Sequence, residues 1–498
     1  MAKTNNTKQA LWIAIGQLAS TLIAIISPMI LSRYLTKMDY GTYKQVMYVY
    51  TSLLAIFTLG LPKSYSYFIP RVPIVEARSL IIKITRIFFI LGLAFSVFLF
   101  VGAPIIAIFL KNTDLVFALR VFSIVPTLLL PTIGMEGVYA SFKKTQVVAI
   151  YTIITKILTI LLTVLPVVAF NGNYIHALIG FDIGCLLTCI VAMFLKSYPV
   201  RGVDSIQTSV GYKSIFSFSL PLLIASFWGM IINSSDQFFI SRYFGNEVFA
   251  EYANGFMEFP VITMIVGSIS TVLIPLFSKY NANSDFGNAI LDTWKSTLSK
   301  SVRIVYPMAF FCIVFSTTIM VCLYGQTYRN SNIYFSIKNV QALFSVLPFS
   351  PLVLALGKTK EYSRVHLYTA IVVVTLEFLV VHIFDSACSI AIVSLLCQFL
   401  KVALQLLIVM GVLHFSLRDL VDVILVVKCC FICMLSCIPV YVLNLIFEPS
   451  SLWVQLFIDC GVFVLLYYTL CFAMNVSYKD IFTSFIGNKY SLLLKFIP

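Results

Sequence analysis

The sequence predicts an all-α polytopic membrane protein of about 14 transmembrane helices: two six-helix lobes in parallel repeat plus two C-terminal helices. Of its 498 residues, 60% are hydrophobic and 11% charged, with a mean hydropathy of +0.98. A soluble protein has roughly 45–50% apolar and about 25% charged residues. The distribution of basic residues and an internal repeat support the same fold class.

The apolar segments are long enough to cross a bilayer, whose core of roughly 30 Å needs about 20 helical residues. The first segment is too long for the apolar core of a signal peptide, so we interpret it as an uncleaved span. The predicted spans are 11–34, 43–62, 84–110, 115–139, 146–170, 174–196, 214–236, 248–277, 300–325, 333–356, 363–384, 387–414, 421–447 and 452–475.

The basic residues indicate the orientation. With the N-terminus in the cytoplasm, 23 of the 34 Lys and Arg residues fall on the cytoplasmic side, six on the outer side and five within spans. This bias follows the positive-inside rule and predicts that both termini are cytoplasmic. It also accounts for the net charge of +14 without a nucleic-acid partner.

A repeat relates two outer connections of the chain. The run that begins at Ile30 and ends at Tyr43 returns 209 positions later, from Phe239 to Tyr252. The identical pairs are Ser32/Ser241, Arg33/Arg242, Tyr34/Tyr243 and Tyr43/Tyr252. Six spans precede the second copy, which begins with the span just before Phe239, so both copies enter the membrane in the same direction, which is a parallel repeat.

The repeat predicts the domain organisation. An N-terminal lobe covers 1–205 with spans one to six, and a second lobe covers 206–415 with spans seven to twelve. The region 416–498 holds the last two spans and a cytoplasmic tail. No loop exceeds roughly 25 residues, which leaves no room for a soluble catalytic domain.

Three charged residues lie near mid-membrane, where a charge is costly and normally faces a cavity or a partner. Lys156 shares a helix face with Thr152, Thr155, Thr159 and Thr163. Lys401 has Gln398 and Gln405 on its face, and Glu258 has Asn254 and Glu251. These stripes predict a water-filled cavity, although structural hydrogen bonds between helices remain an alternative.

Further charges lie at the outer ends of spans. Arg33, Lys44 and Arg242 line the outer part of a cavity or extend to the interface, as long basic side chains readily do. Asp236 pairs with Arg242, guards an outer gate or serves a helix end. The other intramembrane candidates are Arg120, Glu136, Asp182, Glu377 and Asp459.

Catalytic, metal and cofactor motifs are missing from the sequence. It contains no HExxH, GxSxG or GxGxxG. Cys429, Cys433 and Cys437 share a helix face, but no His or acid adjoins them, so we interpret them as small packing residues. We therefore predict a protein that is not an enzyme and needs no cofactor.

The matched connections resemble the polysaccharide-transporter branch of the multidrug/oligosaccharidyl-lipid/polysaccharide exporter superfamily, which includes O-antigen and capsule repeat-unit flippases. The motifs are Arg33-Tyr34-Leu35 with Asp39-Tyr40-Gly41 and Tyr43; Leu220-Pro221-Leu222 with Asp236, Gly245 and Tyr252; and Ile274-Pro275-Leu276. One departure is Ala250, where the family usually has Gly.

The resemblance implies a flippase that moves a polyprenyl-diphosphate-linked repeat unit across a bacterial inner membrane by alternating access, for lipopolysaccharide O-antigen, capsule or exopolysaccharide. The predicted substrate-binding residues are Arg33, Lys44, Lys156, Arg242 and Lys401. Asp236 and Glu258 are predicted to couple transport to H⁺ or Na⁺, or to gate it. Membrane lipid and the polysaccharide polymerase machinery are the other expected partners.

Two alternatives stay open from the sequence. A drug or small-molecule antiporter of the same superfamily typically has twelve spans and an acid in the first, whereas this chain has no acid before Asp39. A membrane polysaccharide polymerase or glycosyltransferase is an enzyme, and we would expect it to carry a large external loop with paired catalytic residues.

Overall fold

The protein is helical throughout the part of the chain that the computed structural model describes. That part comprises residues 6–203, 206–280, 286–346, 349–446 and 451–481, and no β-strand occurs in it. Both chain termini, for which a cytoplasmic location is predicted, lie outside these ranges. The predicted all-α fold class is confirmed.

The helices are numbered in chain order, and short 3₁₀ turns join several of them. Their bounds are α1 Asn6–Tyr34, α2 Lys37–Phe57, α3 Ser64–Phe68, α4 Ile74–Leu110, α5 Leu115–Phe122, α6 Val125–Leu129, α7 Met135–Ser141, α8 Thr145–Phe170, α9 Tyr174–Ser197, α10 Tyr212–Gly255, α11 Pro260–Tyr280, α12 Phe286–Val314, α13 Ser316–Tyr324, α14 Ser331–Phe344, α15 Phe349–Ala355, α16 Thr359–Ile383, α17 Ala387–Leu413, α18 Leu417–Leu420, α19 Val423–Ile446 and α20 Leu452–Ala473.

Eleven helical segments of the described chain are long and apolar enough to cross a membrane, or twelve if α2 and the bent segment after it form one span. The predicted count of fourteen is not confirmed. Part of the difference lies in α10, which continues through the polar connection predicted between spans seven and eight. Its helical geometry breaks at Gly245, whose φ of 80° is readily adopted only by glycine.

The chain divides into two compact units. Unit 1 contains Met1–Ala253 and Glu377–Ala387, and unit 2 contains Asn254–Leu376 and Cys388–Pro498. Most of α10 therefore packs within unit 1. The lobe boundaries at 205 and 415, which come from the repeat, stay predictions.

Unit 1 contains a close seam between α8 and α9. A Cβ atom on Gly180 would lie 2.0 Å from the carbonyl oxygen of Leu162, and one on Gly184 would lie 2.9 Å from Cα of Thr159. Small residues four apart allow membrane helices to approach in this way. Thr155, Thr159 and Thr163 each donate to the carbonyl four residues earlier.

This seam corrects one interpretation of the sequence. The threonine stripe beside Lys156 was expected to line a water-filled cavity, but Thr155 and Thr163 are buried. A hydroxyl that bonds to its own helix needs no water, and the stripe faces the glycines of α9. The polar stripe is a packing surface.

Unit 2 is built around an apolar core between α11, α12, α15 and α19. Trp294 of α12 is fully buried; its indole N–H donates to the carbonyl of Leu420 at 3.0 Å, and its ring packs on Phe349 at 4.7 Å. An indole is well placed in a core when its single donor is satisfied in this way.

The segment after α20 is fastened to α12 by Arg303. The guanidinium donates to both carboxylate oxygens of Asp480 at 2.7 Å. Partial burial of Asp480 opposes its ionisation, but the hydrogen bonds and charge of Arg303 outweigh burial and lower the pKa of this carboxyl. Tyr478 donates to the Arg303 carbonyl at 2.5 Å.

Candidate functional site

The two repeat-related connections lie together in unit 1 and contact each other through equivalent positions. The Lys37 ammonium is 2.5 Å from the Glu251 carboxylate. Adding 209 to Lys37 gives Asn246, and subtracting 209 from Glu251 gives Thr42; the Asn246 amide donates to the Thr42 hydroxyl at 3.2 Å. The two contacts therefore join repeat-equivalent positions: Lys37 and Glu251 form an ion pair, and Asn246 and Thr42 form a neutral hydrogen bond.

Gly41 lets these connections approach closely. A Cβ atom there would lie 2.2 Å from the carbonyl oxygen of Asn246, which no side chain tolerates. The equivalent position of the second copy is Ala250, the position where the chain departs from the family pattern. Ala250 is fully buried, so the second copy accommodates a methyl group where the first does not.

A buried amide network fills the space behind Gly41. Gln45 donates to Ser241 at 2.7 Å and to Asn246 at 3.0 Å. Asn112 in turn donates to the Gln45 carbonyl oxygen at 2.5 Å and to Thr42 at 3.1 Å. A satisfied buried network of this kind fixes the geometry of the packed elements.

The tyrosines that end the two repeat runs each face the side chain at an equivalent position. Tyr252 donates to Asp236 at 2.6 Å, and both side chains are buried. The residue equivalent to Asp236 in the first copy is Ser27, which approaches the Tyr43 hydroxyl without forming a well-directed hydrogen bond. The second copy thus has a carboxylate where the first has a hydroxyl.

A second carboxylate completes an acidic pair. Glu377 of α16 is fully buried and interacts electrostatically with Asp236. Ser235 approaches the Glu377 carboxylate, but neither carboxylate oxygen accepts a well-directed hydrogen bond from a described residue. Tyr48, which donates to the Ser234 carbonyl at 3.0 Å, is influenced by both acids. Two carboxylates that are buried together cannot both be charged without compensation, so this pair has the chemistry of a site for a proton or a small cation.

The structure does not support two of the interpretations of Asp236 from the sequence, the ion pair with Arg242 and the helix-end role. An ion pair with Arg242 was considered, but among described residues no salt bridge joins them; Arg242 donates to the Phe109 carbonyl at 2.6 Å instead. Asp236 lies inside α10 and not at a helix end.

The other predicted cations of unit 1 lie on different helices. Arg33 ends α1 and is exposed. Lys44 lies on α2, half-buried, with its ammonium 5.4 Å from the Tyr40 ring centre. Lys156 is exposed on α8 and interacts electrostatically with Cys185 of α9. Their roles in binding substrate stay predictions.

In unit 2, Glu258 lies in a break between two helices. The sequence interpretation placed Glu258 on one helix face with Asn254 and Glu251, and this is wrong because α10 ends at Gly255 and α11 begins at Pro260. A Cβ atom on Gly255 would lie 2.3 Å from the Ser331 carbonyl oxygen.

The break is stabilised by α14. Asn339 accepts from the Phe259 N–H at 3.1 Å and donates to the Met257 carbonyl at 3.3 Å, which satisfies backbone groups that the helix no longer pairs. Non-helical backbone at membrane depth is tolerated where protein or a cavity surrounds it, and transporters place binding sites at such breaks.

Polar side chains converge on this break. Gln341 donates to the Glu258 carboxylate at 2.7 Å and accepts from Lys338 at 3.0 Å. The charges of Lys338 and Lys401 both act on Glu258. Lys401 donates to Gln398, and Gln405 of the same helix accepts from Ser350 at 3.2 Å. Glu258 and Lys401, two predicted site residues, are brought together here.

Sequence reasoning missed several members of these groups. Lys37 and Glu251 were not paired, Lys338 and Gln341 were not considered, and Glu377 was not ranked among the intramembrane charges. The offset of 209, applied to every polar residue, would have paired Asp236 with Ser27 and Lys37 with Asn246. Gly255 and Pro260, common markers of a helix end and a helix start, indicated the break.

Comparison with known proteins identifies the family. Residues 7–281 match the family model described as polysaccharide biosynthesis protein. No curated protein matches the sequence significantly.

Solved structures share the fold at low identity. The lipid II flippase MurJ in an inward closed conformation superposes with a TM-score of 0.71 and 14% identity, covering 95% of this chain and 100% of that one. An inward-facing multidrug resistance MATE transporter of the MOP superfamily gives 0.65 and 13%, covering 81% and 99%.

A third similar structure is a MOP superfamily transporter from Pyrococcus furiosus, with a TM-score of 0.57, 12% identity, and coverage of 82% and 96%. These similarities confirm the fold class predicted from the repeat and the apolar segments. The family match spans more than half of the sequence and includes both matched connections, and the chain therefore belongs to the polysaccharide biosynthesis protein family.

Proposed function

We propose that the protein is a flippase for a polyprenyl-diphosphate-linked oligosaccharide repeat unit, such as that of an O-antigen, capsule or exopolysaccharide. The observation that carries this proposal is the presence of intramembrane cations without an opposite charge in direct contact. Lys44 and Lys401 lie within apolar helices, and neither forms a salt bridge with a described residue.

Such cations suit a mobile anion. A buried ammonium is costly unless a counter-charge neutralises it, and a diphosphate offers several charge-assisted acceptors. Lys44, Arg33, Lys156 and Arg242 in unit 1, and Lys401 in unit 2, are the residues that we propose to contact the headgroup during transport. The polyprenyl tail stays in the lipid, where it needs no protein partner.

The acidic pair supports ion coupling. Asp236 and Glu377 offer buried carboxylate oxygens, two of which lack a hydrogen-bond partner among described residues, and these atoms bind a proton or Na⁺. Glu258, at the helix break, is the second coupling residue because its carboxylate interacts electrostatically with the Lys401 ammonium. When the cation and the anionic headgroup cross the membrane together by alternating access, the charge of the cation offsets part of the charge of the headgroup.

This activity places the protein in a bacterial inner membrane, next to the machinery that polymerises the repeat unit. It makes the protein a transporter and not an enzyme, because the described polar groups bind and neutralise charge and need no covalent step. Both termini are proposed to be cytoplasmic, as the distribution of Lys and Arg indicates.

Deleting the gene in its bacterial host tests the proposal. We expect surface polysaccharide to be lost while the lipid-linked repeat unit accumulates at the cytoplasmic leaflet, and a plasmid copy to restore export. Normal surface polysaccharide contradicts the proposal. Normal polysaccharide with altered drug resistance favours an antiporter, and unpolymerised repeat units at the outer leaflet favour a polymerase.

A further inference from the structure

A groove in unit 1, between α4 and α9, has chemistry that the transport proposal does not use. It contains two adjoining cavities of about 440 and 330 Å³ that share Met193 and Ser197 of α9. One wall is a single face of α4, since Arg78, Ile82, Arg86 and Phe89 follow one another at helical spacing.

The polar end of the groove is basic. Arg78 and Arg86 project from α4, and Arg201 follows α9 on the opposite wall. No carboxylate lines either cavity, and none of the three arginines forms a salt bridge with a residue in the described ranges. The charge count of the sequence assigns all three to the cytoplasmic side of the membrane.

The floor of the groove is formed by a buried lysine. Lys196 is 2% exposed, and its ammonium donates at 2.8 Å to the carbonyls of Pro131 and Ile133. Its ammonium lies 4.3 Å from the Tyr65 ring centre. Two carbonyl dipoles and an aromatic ring thus hold the end of this side chain in place beneath the cavity.

The other end of the groove is apolar. Phe89 and Ile90 of α4 are 52% and 64% exposed, and they follow Arg86 along the helix, away from Arg78. The groove is thus amphipathic along its length, with charge of one sign at one end and hydrocarbon at the other.

We infer that this groove binds an anionic glycerophospholipid of the cytoplasmic leaflet. The headgroup phosphate lies where the two cavities adjoin, between Arg86 of one and Arg201 of the other, whose planar guanidinium groups match phosphate oxygens in pairs. One acyl chain lies along Phe89 and Ile90. Basic pockets between membrane helices on the cytoplasmic side bind lipid headgroups of this kind.

Generic attraction of surface arginines to lipid does not explain the arrangement. The basic side chains come from two walls of a concave site, and the floor holds a buried ammonium. Lys143 and Lys144, on the same predicted side of the membrane, are exposed and line neither cavity. They provide a control of equal charge.

Native mass spectrometry of the full-length protein in detergent tests the inference. The probes are phosphatidylglycerol, phosphatidylcholine with identical chains, and free glycerol 3-phosphate. We expect preferential retention of phosphatidylglycerol, about 30-fold weaker retention by the R86Q/R201Q variant, and unchanged retention by the K143Q/K144Q variant. Glycerol 3-phosphate in equal concentration should not displace the lipid, because it lacks the chain contacts.

Three outcomes overturn the inference. Equal retention of the two lipids by the unmodified protein removes headgroup recognition. Equal losses of phosphatidylglycerol retention in the R86Q/R201Q and K143Q/K144Q variants would show that retention depends only on the net charge of the protein. Displacement by glycerol 3-phosphate identifies a site for a free phosphate compound. Unfolding temperatures of both variants within a few degrees of the unmodified protein show that the comparison is made on folded molecules.

Discussion

The first and second copies of the outer connection share their positions but not their chemistry. In the first copy, Tyr43 faces the hydroxyl of Ser27; in the second, Tyr252 donates to Asp236. Asp236 then interacts electrostatically with the buried Glu377, whereas Tyr43 interacts with Cys185. The two copies share their scaffold, but where the first copy has the hydroxyl of Ser27 the second has the carboxylate of Asp236.

The difference indicates a division of labour. The first copy supplies close packing through Gly41 and its neighbours, whereas the second supplies the buried carboxylates that we propose to hold a proton or cation. The contacts that join the copies show the same asymmetry, because Lys37–Glu251 is an ion pair and Thr42–Asn246 is neutral.

The largest expected effect separates Asp236 from Ser27. Replacing Asp236→Asn should lower ion-driven transport roughly 10- to 100-fold, because it removes a charge-assisted hydrogen bond and the site for the ion. The matched replacement Ser27→Ala should change the rate less than about twofold. Transport into proteoliposomes under an imposed proton or sodium gradient measures both. Equal losses in the two variants contradict specialisation of the second copy.

Gly41→Ala tests the packing role of the first copy. The added methyl group would lie 2.2 Å from the Asn246 carbonyl oxygen, so the helices must separate. We expect the free energy of unfolding to fall by about 2 kcal/mol. Ala250→Gly, the same exchange in reverse in the second copy, should cost about 1 kcal/mol through backbone entropy and the loss of one buried methyl group.

Unfolding of the purified protein in detergent measures both changes. A Gly41→Ala variant as stable as the unmodified protein contradicts close contact at this position. The two substitutions exchange the same pair of residues in opposite directions. Any additional loss of unfolding free energy in Gly41→Ala therefore reflects the close backbone contact at position 41.

The extent to which sequence predicts this molecule follows from how each feature is encoded. The apolar segments and the 209-residue offset depend on composition and periodicity, and they predicted the all-α membrane fold. Asp236 was found because it belongs to a motif. The break at Glu258 was missed because helical spacing was extended through Phe256–Phe259, a segment that is mostly apolar.

Packing partners were beyond sequence reasoning for a different reason. The threonines beside Lys156 have the spacing of a cavity wall, but Gly180 and Gly184 on another helix make them a packing surface. Lys37 and Glu251 are 214 positions apart, and only the fold places them together.

A pair of double-mutant cycles compares the contacts between the copies. We expect an interaction energy of about 1 kcal/mol for Lys37–Glu251, whose carboxylate is buried, and about half of that for Thr42–Asn246. Unfolding of the alanine variants provides the energies. Equal coupling in the two cycles would show that the charges add nothing to the hydrogen bond.

The smallest expected effect concerns Lys156. Because this side chain is exposed, Lys156→Ala should lower export up to about fivefold without changing membrane abundance. Lys144→Ala, an exposed lysine between α7 and α8, is the control. Unchanged export by Lys156→Ala removes this residue from the site and leaves substrate contact to the other cations.

The most direct test of the account is translocation of a polyprenyl-diphosphate oligosaccharide in proteoliposomes of the purified protein. The account predicts that labelled substrate placed in one leaflet becomes accessible to an enzyme acting on the other leaflet, and that Lys401→Gln slows this exchange. Exchange no faster than in protein-free liposomes, with the protein folded and inserted and an ion gradient present, would contradict it.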